Sequence, residues 1–121
     1  MNRVEFEELV AEALETIPAA LLEKVENLQI VVEDRPTPYQ LRKAGIRRGL
    51  LLGLYEGVPR TARTTNYALV PPDKITIFQE PIEMLYRTRQ EIREAVARTV
   101  RHEIAHHFGL SDARLRELGA Y

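Results

Sequence analysis

The residues with the clearest chemistry are His102-Glu103-Ile104-Ala105-His106, followed after a short interval by Gly109 and Asp112. On a helix, histidines at i and i+4 stand about 40° apart around the axis and roughly one turn apart along it, so both rings can reach one cation. Glu103 lies about 100° from His102, beside such an ion rather than on it, where a general base belongs. A catalytic zinc ion takes three protein ligands and keeps a position for water, so two imidazoles do not suffice. Gly109 can adopt the left-handed conformation that ends a helix and turns the chain back, and that reversal is expected to carry Asp112 to the ion. His102, His106 and Asp112 with Glu103 as base predict zinc-assisted hydrolysis, in which Glu103 takes a proton from an activated water and returns it to the leaving group. His107 points about 100° away from His106 and is expected at the surface or the edge of the core.

A helix must lie under these residues. Ile92, Val96, Val100 and Ile104 recur at helical spacing, which predicts the longest helix over Gln90 to Phe108, stopped by Gly109. His102 and His106 continue the strip Ile92, Ala95 and Thr99, so they are expected to be buried. Their second nitrogens would then need acceptors, for which Glu80 and Glu83 are candidates, the alternative being that both are simply solvated. Ser111 and Asp112 have the chemistry of an N-cap for a last short helix over Ala113 to Leu118.

Upstream, Val4, Leu9, Val10, Ala13, Leu14 and Ile17 predict an amphipathic helix over residues 3 to 16, with Pro18 opening a second one that closes near Asn27. Leu28 to Val32 reads as a strand, and Tyr39 to Lys43 as a helical turn within a surface connection. Leu50 to Tyr55 reads as a buried strand, and Lys74 to Gln79 as a half-buried one with Ile75 and Ile77 on one face, Thr76 and Phe78 on the other. A short helix follows around Ile82, Leu85 and Tyr86. The order predicts an α+β fold: a small three-stranded mixed or antiparallel sheet packed on the long helix, with additional N- and C-terminal helices.

Composition sets the bounds. With 121 residues and 45% hydrophobic content, one domain over residues 1–121 is expected. The absence of cysteine excludes a disulfide framework, a thiolate zinc site and a thiol nucleophile, leaving His, Asp and Glu as metal ligands. No leader-like or membrane-length apolar run is visible, so a cytoplasmic protein without a membrane partner is expected. The net charge of −1 conceals a basic stretch containing Arg35, Arg42, Lys43, Arg47, Arg48, Arg60 and Arg63, with Glu56 as its only acid. No aromatic residues interleave with these cations as a base-stacking surface requires, so nucleic acid is not the expected partner.

The run His102, Glu103, His106, Gly109 and Asp112 resembles the zincins, and among them the metzincin pattern H-E-x-x-H-x-x-G-x-x-H/D. Together with the strand at 74–79 and Tyr55-Glu56-Gly57-Val58-Pro59-Arg60-Thr61, the chain looks like a minimal bacterial zincin-like metallopeptidase. The resemblance implies a zincin-like fold, a Zn²⁺ cofactor and cleavage of a peptide or protein substrate. It also implies an extended peptide lying along an edge strand above the metal, a place assigned here to Thr76, Ile77 and Phe78. Two departures stand out. Met1 and Met84 both precede the motif, so the methionine turn beneath a metzincin's metal is missing, and Glu117, the one later glutamate, lies closer than the gluzincin pattern requires. Two other readings of such a site are a zinc hydrolase acting on RNA and a catalytically silent regulatory or interaction module.

Overall fold

The computed structural model describes residues 1–25, 27–46, 50–57 and 72–119. The first helix, Arg3–Glu15 (α1), starts where Asn2 accepts the Glu5 N–H at 2.8 Å and buries Phe6, Leu9, Val10 and Ala13 along one face. After the short helix Ala19–Leu22 (α2), the strand Leu28–Glu33 (β1) leads to a helix at Pro38–Lys43 (α3). Proline at the first position of α3 and a reciprocal capping box between Thr37 and Gln40 explain why this helix starts where it does.

Strands Gly53–Glu56 (β2) and Asp73–Phe78 (β3) follow, and β3 runs directly into the helix Gln79–Leu85 (α4). Among the described residues the strands make one sheet in the order β1-β3-β2, with β1 parallel and β2 antiparallel to β3. The sheet is therefore mixed, and β3 is its central strand.

The long helix, Arg89–Phe108 (α5), opens with a second capping box between Thr88 and Glu91. It packs against α1 and against the face of the sheet that carries Ile30, Ile75, Ile77 and Tyr55. Apolar burial holds this arrangement together: Ile92, Val96, Val100 and Ile104 from α5 meet Phe6 and Leu9 from α1 and Ile75 and Ile77 from β3 in one cluster. The opposite face of the sheet is covered as well, since Thr76 and Phe78 are fully buried. There α3 is tied down at two places, by Gln40 to Glu33 at 3.3 Å and by Lys43 to Glu56 at 3.0 Å. The expectation of a half-buried strand at 74–79 is thus corrected: the central strand is buried on both faces.

Arg3 locks the start of α1 to the far end of the sheet by donating to the Val32 carbonyl at 2.9 Å, to the Gln79 side chain at 3.2 Å and to Asp34. The last helix, Asp112–Glu117 (α6), docks on the core through the buried Leu115. No helix among the described residues is long and apolar enough to cross a membrane.

Candidate metal centre

Strand β2 lies close against the last three turns of α5 because Gly53 has no side chain. A Cβ there would stand 2.5 Å from the Thr99 methyl and 3.2 Å from the Thr76 carbonyl oxygen. One and two turns beyond Thr99, Glu103 and His107 fall on the same side of the helix and meet the same strand. The Tyr55 backbone N–H donates to Glu103 Oε1 at 2.9 Å, and the Tyr55 ring stacks on His107 with centroids 4.0 Å apart and planes 13° from parallel. The phenol hydroxyl donates to Asp73 Oδ2 at 2.6 Å. Beyond Tyr55, Gly57 leaves room for the edge of the His107 ring, which a Cβ would meet at 2.8 Å.

His102 and His106 occupy the neighbouring, solvent-facing side of α5, and both are exposed. The helix then ends in a left-handed turn at Gly109, φ 64°, closed by Leu110 N–H to the Ala105 carbonyl at 2.8 Å and Gly109 N–H to the His106 carbonyl at 3.3 Å. After this reversal Ser111 caps α6 by accepting the Arg114 N–H at 3.1 Å, and Asp112 stands in the first turn of that helix.

The electrostatics record which of these groups are neighbours. His102 is pushed below the ordinary imidazole range by partial burial first, then by Arg101, Arg98 and His106, while the Asp112 carboxylate pulls it back. Glu103 is pushed above the usual carboxylate range by burial, against the opposing pull of the Tyr55 N–H and of His106. A neutral imidazole offers its lone pair to a metal, and a carboxyl raised by burial holds a proton more readily than an ordinary carboxylate.

Residues 25–120 match the family model of zincin-like metallopeptidases. The chain belongs to that family. Among solved structures, a conserved hypothetical protein from Thermus thermophilus is similar, with a TM-score of 0.58 and 21% identity over 89% of this chain and 94% of that one. At that identity the likeness extends to the fold. No match is found among curated proteins.

Within this zincin-like fold the predicted site residues are only partly assembled. His102, His106 and Glu103 share the end of α5, and Asp112 comes near enough for His102 to feel its charge. Among the described residues, however, no three His, Asp or Glu side chains lie together closely enough to hold one ion. The donor set still fits zinc: two exposed imidazoles one turn apart, one of them biased to its neutral form, and an exposed carboxylate on the following helix.

Three expectations need correction. The histidines are not buried on the strip of Thr99, because the strip that meets the sheet continues at i+4 spacing through Glu103 and His107. Thr76, Ile77 and Phe78 are not an edge: β3 is paired on both sides, and among the described residues the edge beside α5 is β2. Glu80 and Glu83 serve elsewhere, Glu80 in a pair with Arg35 at 3.2 Å and Glu83 accepting from Gln79 at 3.1 Å.

Other expectations fare differently. Glu117 is bonded to Arg114 at 2.8 Å, and Met84 is 72% exposed and forms no floor. In the basic stretch, Arg35 and Lys43 are each paired with a carboxylate, while Arg47, Arg48, Arg60 and Arg63 lie outside the described residues. The sequence reading named Tyr55 only as a strand end and at the head of the family-like stretch 55–61, and gave neither it nor Asp73 a role at the site. For Tyr55 a further signal was that Gly53 and Gly57 flank it at even spacing, the mark of a strand pressed against a neighbour.

Proposed function

We propose that this zincin-like protein is a zinc-dependent peptidase in which His102, His106 and Asp112 hold the metal and Glu103 is the general base. One observation carries the reading: the Glu103 carboxylate, raised above its usual range by burial, is anchored to the edge strand beside two solvent-facing imidazoles. When bound, zinc supplies Lewis acidity to the scissile carbonyl and brings the pKa of a water molecule toward neutrality. Glu103 takes the proton of the attacking water on its free oxygen and passes it to the departing amine, serving as base and then as acid.

The register of β2 supports an extended substrate. Gly53 and Tyr55 pair with Ile77 and Ile75, and the Tyr55 N–H points away from β3, toward Glu103. Their backbone groups therefore face outward by the alternation of an antiparallel ladder. A peptide adding a strand at Gly53 would place its backbone beside α5 at Thr99. Arg35 and Lys43 are each paired with a carboxylate, and no observation favours an RNA substrate.

The test is turnover of an unstructured polypeptide by protein of measured zinc content, against Glu103→Gln. Cleavage that rises with zinc occupancy and vanishes in the variant, with zinc retained, is expected. Full zinc occupancy with no cleavage of any peptide, or equal cleavage by the variant, refutes it.

A further inference from the structure

We infer that Tyr55 is a positioning residue for Glu103: its backbone N–H fixes one carboxylate oxygen, and its side chain, anchored to Asp73 and His107, holds that N–H in place. The catalytic consequence rests on the peptidase reading above, whereas the anchorage itself does not.

A glutamate side chain has three rotatable bonds and at a helix end would sample several rotamers. Here Oε1 accepts a hydrogen bond from a backbone group that has no rotamers of its own. That bond is charge-assisted whenever the carboxyl is ionised, and it leaves Oε2 without a hydrogen-bond partner among the described residues. One oxygen is thus held and the other is open to a reacting proton.

The donor is itself well fixed. Among the described residues Tyr55 sits on an edge strand, where an outward N–H would ordinarily belong to solvent. Its ring is held on one side by His107, one helical turn after Glu103, so α5 grips the same residue twice, through backbone and through ring. The far end of the ring reaches Asp73, 4% exposed, at the first position of the central strand. Burying a carboxylate is costly unless it is hydrogen-bonded, and the phenol hydroxyl supplies such a bond. The anchor joins β2, β3 and α5 at one residue, so a shift of the edge strand relative to the helix moves the base with it.

Amide hydrogen exchange in the ¹⁵N-labelled full chain, with and without zinc, tests this. The Tyr55 amide should be protected roughly 10- to 100-fold in both states, and Glu103→Ala should abolish that protection. Tyr55→Phe keeps the ring but loses the hydroxyl. It should speed exchange at residue 55 about tenfold while Ile75 and Ile77 keep their rates, which a general loss of stability would not do.

In the same variant kcat should fall about 10- to 100-fold, with KM and zinc affinity within about twofold. Asp73→Asn, whose side-chain oxygen still accepts from the phenol, should retain most of both signals. His107→Ala provides a second route to the same loosening.

Free exchange of the Tyr55 amide in the wild type, protection lost on adding zinc, uniform acceleration across β2 and β3, or a defect confined to KM overturns the inference. A zinc-loaded wild type that protects Tyr55 yet cleaves nothing removes the peptidase reading and leaves the anchorage intact.

Discussion

Gly53→Ala is the substitution whose cost the structure fixes most directly. The new Cβ would lie 2.5 Å from the Thr99 methyl carbon and 3.2 Å from the Thr76 carbonyl oxygen, against ordinary contacts of 3.4–4 Å. Thr99 cannot simply rotate away, because its hydroxyl donates to the Ala95 carbonyl at 2.7 Å, and the Thr76 oxygen is backbone of the central strand. Relief therefore requires β2 to move off α5 by about 1 Å. Overpacking of this kind costs about 1–3 kcal/mol, while replacing glycine returns about 0.4–1 kcal/mol by restricting the unfolded chain. The net expectation is a loss of about 1–2 kcal/mol, measured as a lower urea midpoint at unchanged m value. Thr99→Ser removes the clashing methyl and keeps the hydroxyl, so the double variant should recover about 1 kcal/mol or more relative to additivity. A Gly53→Ala protein as stable as the wild type, or a double variant that is merely additive, would refute the close approach of β2 to α5.

Further outcomes follow from the same geometry. His102→Ala and His106→Ala should each weaken zinc binding in a chelator competition beyond the roughly 10- to 100-fold that loss of an outer partner costs, with helical content unchanged. Saturating zinc at 100 times its dissociation constant should add about 2.7 kcal/mol to the wild type in urea titration, and Glu103→Gln should gain the same increment. Gly109→Ala forces a β-carbon into the left-handed region at φ 64° and should cost about 1 kcal/mol, seen as a drop in Tm. Ser111→Ala should cost about the same through loss of the α6 cap.

Local signals carried much of the fold. The 3.6-residue periodicity of Ile92, Val96, Val100 and Ile104 located the long helix, and Gly109 marked its end, because both depend on near neighbours in the chain. Strand alternation likewise located β3 and assigned its faces. Strand order was not legible: nothing local in Lys74 to Phe78 says whether neighbours pair on one side or two, and the edge was placed on the wrong strand in consequence. The start of β2 was also misread, since Leu50 and Leu51 continue the apolar run although the ladder begins at Gly53.

At the site, residue types and spacing singled out His102, Glu103 and His106. They did not reveal which side of α5 meets the sheet. Steps of three and of four residues diverge by about 100° in direction, and only the packed strand decides between them. The bond between Tyr55 and Asp73 was not legible, because it closes an 18-residue separation.

The division of labour between Ser111 and Asp112 bears on how the third ligand can be supplied. Either residue type could cap α6, and had Asp112 been the cap, drawing its carboxylate toward a cation would have left a helix N–H unsatisfied. Ser111 takes that role, accepting the Arg114 N–H, so Asp112 is left in the first turn with an exposed side chain. Its charge already reaches His102. The Gly109 turn fixes the backbone that carries both residues, and under the proposed zinc site Asp112 is the carboxylate on that turn left for the ion. Asp112→Ala should therefore lower zinc affinity without the stability loss that Ser111→Ala shows, and equal destabilisation by the two would mean that the aspartate is a cap after all.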